Sequence, residues 1–184
     1  SNENLNFDFL LTRKFKKDKR SMTLNANIRS NQTDGKTNYY SLADYYSTGI
    51  MTEIDQFKRD EVGSKVFTTS LNYTEPLSKN LTATLGYSFQ KNNATNLNQS
   101  FDKDPATGDY TLLDLQVLND FRVNSSKNTA NTGLNFKNDL WTINVSNRLD
   151  FEDVSRTYNN LNTQLQRSQT SVNPMFYVGY KLSK

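Results

Sequence analysis

The chain has 184 residues, with 22 basic against 19 acidic side chains and neither cysteine nor histidine. Those zeros exclude thiolate nucleophiles, imidazole bases, disulfides and the usual zinc or haem ligand sets, and a net charge of +3 gives no electrostatic reason for a nucleic-acid partner. Hydrophobic residues make up only 34% while Asn, Thr, Ser and Gln supply 70 residues, too polar for an ordinary core. Eleven Phe, ten Tyr and one Trp nevertheless argue against disorder, so each element is expected to carry one apolar face.

Period two dominates from the first segment, where Leu5, Phe7, Phe9 and Leu11 alternate with Asn4, Asn6, Asp8 and Leu10. The second sets Met22, Leu24, Ala26 and Ile28 against Thr23, Asn25, Asn27 and Arg29, and the third sets Phe67, Thr69, Leu71 and Tyr73 against Thr68, Ser70 and Asn72. In the fourth, Leu81, Ala83, Leu85, Tyr87 and Phe89 oppose Thr82, Thr84, Gly86, Ser88 and Gln90. Ala130, Thr132, Leu134 and Phe136 form the apolar row of the fifth, with Asn131, Gly133 and Asn135 opposite. The sixth runs Trp141, Ile143, Val145, Leu149 and Phe151 against Thr142, Asn144, Ser146, Arg148 and Asp150; the seventh carries Val172, Pro174, Phe176, Val178, Tyr180 and Leu182. The expected fold is all-β, an antiparallel up-and-down meander of about seven long strands of roughly ten residues each.

The connections alternate in length. Lys16 to Ser21, Thr74 to Asn80 and Lys137 to Leu140 are short and hold turn formers such as Pro76, Asn80, Asn138 and Asp139. Asn31 to Lys65, Lys91 to Thr129 and Glu152 to Ser171 read as long loops. Tight turns on one side, long loops on the other and one apolar face per strand are the plan of an outer-membrane β-barrel. No apolar run is long enough for a transmembrane helix. On this plan Asn25, Asn27, Arg29, Asn72, Asn131, Asn135, Asn144 and Arg148 face a lumen, and Tyr73, Phe89, Phe136, Trp141 and Phe151 form aromatic girdles at the two membrane surfaces.

The stretch Leu71-Asn72-Tyr73-Thr74-Glu75-Pro76-Leu77-Ser78-Lys79-Asn80-Leu81, followed by Leu85-Gly86-Tyr87-Ser88-Phe89, resembles the strand, "EPL" turn and strand of TonB-dependent-receptor-like outer-membrane β-barrel proteins of Bacteroidota. Phe101-Asp102-Lys103-Asp104-Pro105-Ala106-Thr107-Gly108-Asp109-Tyr110 through Asp114, with Leu118 to Phe121, is similar to an external loop of that family. The resemblance implies a location in the bacterial outer membrane, contact with the lipid bilayer, and import of a nutrient ligand by a barrel whose plug engages a TonB complex. Nothing in the chain looks like the plug. An odd strand count, where single-chain bacterial barrels have even ones, makes residues 1–184 read as an excised barrel segment, expected to self-associate in isolation.

Other constellations carry less. Asp102 to Asp109 has the oxygen density of a calcium loop, but its glycine stands at the seventh place where an EF-hand needs the sixth, so a turn held by Asp104, Pro105 and Gly108 is expected. Glu53, Asp55, Asp60 and Glu61 offer carboxylates without a rigid frame for glycosidase work. No two glycines lie close enough for a nucleotide fingerprint. No catalytic, cofactor or metal site is therefore expected, and the chain does not read as an enzyme. Leu112, Leu113, Leu115, Val117, Leu118 and Phe121 form one apolar cluster, read as a ligand surface or a small extra hairpin. The competing architecture is a soluble β-sandwich binding module of glycan or adhesin type, with the apolar rows packed face to face.

Overall fold

A computed structural model describes residues 1–182. Its elements, in chain order, are β1 Asn2–Lys14, β2 Ser21–Tyr45, β3 Ile50–Pro76, β4 Leu81–Lys103, β5 Tyr110–Leu113, β6 Asn119–Lys137, β7 Trp141–Tyr158 and β8 Thr163–Tyr180. All pair antiparallel in one sheet ordered β1-β2-β3-β4-β6-β7-β8, with β5 on the end of β4. The seven-strand meander is therefore present, and β5 is the small extra hairpin strand. The apolar rows are not packed face to face, since a second sheet is absent among the described residues.

The three short turns fall where expected, between Lys14 and Ser21, between Pro76 and Leu81, and between Lys137 and Trp141. The long loops do not. Most of Asn31 to Lys65 is strand, joined by a turn at 46–49 with Gly49 at φ +65°; β4 continues to Lys103, and β7 and β8 meet across 159–162. Strands of 18 to 27 residues replace the expected ten in β2, β3, β4, β6, β7 and β8. The reason is physical: a strand needs one apolar face only where something apolar meets it, whereas its backbone ladder continues wherever Thr, Tyr, Asn and Ser keep the chain extended.

Register places opposite residues of neighbouring strands on one face. One row runs Leu11, Leu24, Leu71, Tyr87, Ala130, Leu149, Val172; the adjacent row on the other face runs Thr12, Thr23, Asn72, Gly86, Asn131, Arg148, Asn173. The sheet thus has one apolar and one polar surface across seven strands. The apolar stretch of β7, Trp141 to Phe151, spans ten steps, about 34 Å along the strand and about 25 Å of depth once tilted near 40°. That depth equals the lipid-facing band of an outer-membrane barrel.

No large apolar side chain is buried among the described residues: Leu85 is 56% exposed and Phe176 70%. The buried polar side chains are Ser100, Thr129 and Asp150, and register puts all three on the polar face. A curved sheet crowds the side chains on its concave side and spreads those on its convex side. The polar face is therefore the concave one, the curvature of a barrel arc with its apolar surface outward. Both outer edges, along β1 and β8, are unpaired among the described residues.

Candidate functional site

The concave face is the surface on which the sequence concentrates hydrogen-bonding groups. All eight residues predicted to line a lumen lie on it. Asn25 stands opposite Ser70, and Asn27 donates to Asn6 Oδ1 at 3.0 Å while facing Asp8. Arg29 lies between Asn6 and Val66. Asn135 and Asn144 are directly opposite and hydrogen-bonded. Asn72, Asn131 and Arg148 share a row with Gly86, where an added Cβ would fall 2.7 Å from Asn72 Oδ1 and 3.3 Å from Asn131 Nδ2. Glycine at 86 lets the two amides close over the backbone between them.

The densest group on this face centres on a residue that the expectation omitted. Asp150 Oδ1 accepts from Thr129 Oγ1 at 2.6 Å and from Arg148 Nε at 3.0 Å, and Lys127 Nζ lies 3.7 Å from Oδ2. Two cations therefore share one carboxylate, with Glu152 also opposite Lys127, beside a hollow of about 230 Å³ lined by Thr68, Ser88, Gln90, Thr129 and Asn131. The clue in the sequence is the same-face spacing of Arg148 and Asp150, two apart in a strand.

The five predicted girdle aromatics all lie on the convex face. Phe89 and Phe151 share one row through Asn128, with Phe67 6.4 Å from Phe89 between centroids. Trp141 packs on Tyr180 at 4.6 Å, and Phe136 stands opposite Leu81 and Ile143. Tyr73 packs edge-on to Phe15 at 6.3 Å.

Beyond these rows, at the short-turn end, Glu75 gathers three donors. Arg20 Nη2 donates to Oε1 at 2.7 Å, Lys17 Nζ to Oε1 at 2.6 Å and Tyr73 OH to Oε2 at 2.6 Å. Arg20, then Lys17 and Tyr73, hold the carboxyl at about 2, below the ordinary glutamate value near 4.5. A depressed folded-state value means that the ionised form favours the folded turn. This contribution is whole above about pH 4.5 and is lost as pH falls toward 2. A carboxyl carbon NMR titration should give Glu75 a midpoint near 2, moving upward in Arg20→Gln; an unchanged midpoint there would remove Arg20 as the main cause.

At the opposite end, on the convex side of the strand extensions, Asp55 accepts from Tyr110 OH at 2.6 Å and Lys103 Nζ at 3.1 Å. Tyr110, then Lys103, lower the Asp55 carboxyl from its ordinary value. Phe57 lies 6.4 Å from Phe101 and 6.3 Å from Tyr110, so β5 is fastened by a small aromatic cluster and one carboxylate. Of the other acids in that stretch, Glu61 is taken up by Arg59, and Glu53 and Asp60 point to opposite faces of β3. The Asp104 turn closes by Ala106 N to Asp104 Oδ1 at 2.8 Å and Gly108 N to Asp104 O at 2.8 Å, with Gly108 at φ +77°. Leu112, Leu115 and Val117 of the apolar cluster remain exposed around β5.

The model of the outer membrane protein beta-barrel family matches residues 13–184. Among solved structures, the chain is similar to the ferric citrate transporter FecA in the unliganded form, with a TM-score of 0.66 over 99% of this chain and 12% sequence identity. The match takes in 26% of that structure, so this chain spans about a quarter of its length. Twelve per cent identity carries the fold and nothing finer. No curated protein matches.

Proposed function

Since the chain belongs to the outer membrane protein beta-barrel family, whose place is the bacterial outer membrane, we propose that it is one arc of a larger transporter barrel that imports a nutrient in a TonB-dependent manner. The observation that carries this reading is the open sheet itself. Seven long strands present a polar concave surface, an apolar convex surface of membrane depth and two edges unpaired among the described residues, which further strands would complete. On this reading the concave face lines the lumen, the five convex aromatics mark the two membrane surfaces, and the strand extensions beyond Ser30, Lys91 and Glu152 stand outside the cell. The missing part supplies the remaining strands and the plug through which a TonB complex acts, and the host belongs to the Bacteroidota. The arc has no catalytic role; its work is to bound a passage.

Two results test the proposal. Light scattering of the isolated chain without detergent should show large or heterogeneous particles, because unpaired edges and a bare apolar face find each other in water. A monodisperse monomer would sink the reading. In the cell, removing the whole barrel and removing the TonB energiser should give the same loss of growth on one limiting nutrient, whereas a defect confined to the barrel deletion would exclude TonB dependence.

A further inference from the structure

The turn between β1 and β2 differs from the other two short turns in charge. Residues 13–20 hold six of the 22 basic residues and one of the 19 acidic, so the remainder of the chain is net negative. The turn at 77–80 carries Lys79 alone, and that at 138–140 Asp139 alone. This excess lies at the margin of the apolar convex surface: Arg13 follows Leu11 on that face, and its guanidinium sits 5.1 Å from the centre of the Phe15 ring. Phe15 in turn meets Tyr73 of the convex aromatic set. Glu75 neutralises part of the group by binding Lys17 and Arg20. Arg13, Lys16 and Lys19 remain exposed and have no ion-pair partner among the described residues.

We propose that this turn is a docking site for anionic phospholipid headgroups of the leaflet on the short-turn side. The inference rests on the membrane reading above. The occupant follows from position: cations at the edge of a lipid-facing aromatic row meet the headgroup layer, where rings and long basic side chains are both favoured. Glu75 has a part in this arrangement, since it pins Lys17 and Arg20 to β3 and so gives the turn a fixed shape from which Arg13, Lys16 and Lys19 project. Each basic side chain near an anionic surface adds attraction that fades within a Debye length, so the preference must weaken in salt.

The absence of cysteine allows a clean test. The chain carrying Asp18→Cys, or Asp139→Cys as the control turn, is labelled with bimane and reconstituted in phosphatidylcholine vesicles at a protein density that lets copies pair their β1 and β8 edges. These contain a small fraction of headgroup-nitroxide phosphatidylglycerol or headgroup-nitroxide phosphatidylcholine. Quenching at position 18 should favour the anionic lipid by at least about threefold, fall toward parity in 1 M salt, and fall likewise in Lys16→Gln with Lys19→Asn. At position 139 the two lipids should quench alike. Equal quenching at 18, or a preference indifferent to salt and to both substitutions, overturns the headgroup site. A preference for a soluble acidic peptide over the lipid would assign the turn to a protein partner instead. Trp141, the sole tryptophan, reports on the membrane reading separately: a blue shift on reconstitution with equal quenching at 18 defeats the site alone, and no blue shift defeats both.

Discussion

Replacing Val145 with arginine lowers the stability of the reconstituted protein by about 2–4 kcal/mol, whereas arginine at the next residue, Ser146, costs under about 1 kcal/mol. The two positions are neighbours in β7 and differ only in face. Val145 stands opposite Leu134 and Phe176 near the middle of the apolar band and is 47% exposed, so its side chain projects toward hydrocarbon. A guanidinium there must drag water inward or bend toward a membrane surface. Ser146 stands opposite Gly133 and Met175 on the concave face, where added length enters wet space. Denaturant unfolding in phospholipid vesicles, followed by Trp141 fluorescence, measures both. Equal losses would mean that both faces are packed, and a larger loss at Ser146 would turn the sheet inside out.

That contrast shows how much was legible in the sequence and why. Where lipid meets one face and water the other, hydrophobicity must alternate, and residues such as Leu81 to Phe89 announce strand, face and span together. The seven alternating segments lie along the short-turn portions of the seven long strands. Past the headgroups both faces are wet. In β2 from Asn31 to Tyr45, with Tyr39 on one side and Tyr40 and Leu42 on the other, no one-sided apolar pattern survives, and a strand cannot be told from a loop by pattern. What continues the ladder there is pairing, such as Asn31 to Ser64 and Thr37 to Lys58, which is a property of two segments jointly.

The polar face was legible as a set and illegible as a network. Asparagines at 25, 27, 72, 131, 135 and 144 mark one polar face by alternation alone, and register keeps them on it. Which of them touch depends on register, and register brought together residues that no local pattern joins, such as Thr129 with Asp150 across β6 and β7. The same holds for Asp55 and Tyr110, whose contact needs β5 to fold back beside β4.

Asp150 is where the loss of a single polar side chain should be felt most. Asp150→Ala is expected to destabilise the reconstituted protein by about 1.5–3 kcal/mol, the range for a hydrogen bond to a charged group removed from a buried site. Thr129 supplies the larger share, because its hydroxyl is itself buried and its 2.6 Å bond has no solvent substitute. Arg148 and Lys127 supply less, since half of Arg148 and a third of Lys127 are open to solvent that screens them. Thr129→Val should therefore reproduce more than half of the loss, about 1–2 kcal/mol, and the double substitution should fall short of the sum because both remove one contact. Asp150→Asn separates shape from charge: it retains an acceptor for Thr129, so it should cost less than alanine while removing the ion-pair partner that Arg148 and Lys127 share. If asparagine proves as damaging as alanine, the two cations matter more than the hydroxyl. If all three single substitutions are silent, the node is not a stabilising contact of the concave face, and the burial of Thr129 and Asp150 reflects curvature alone.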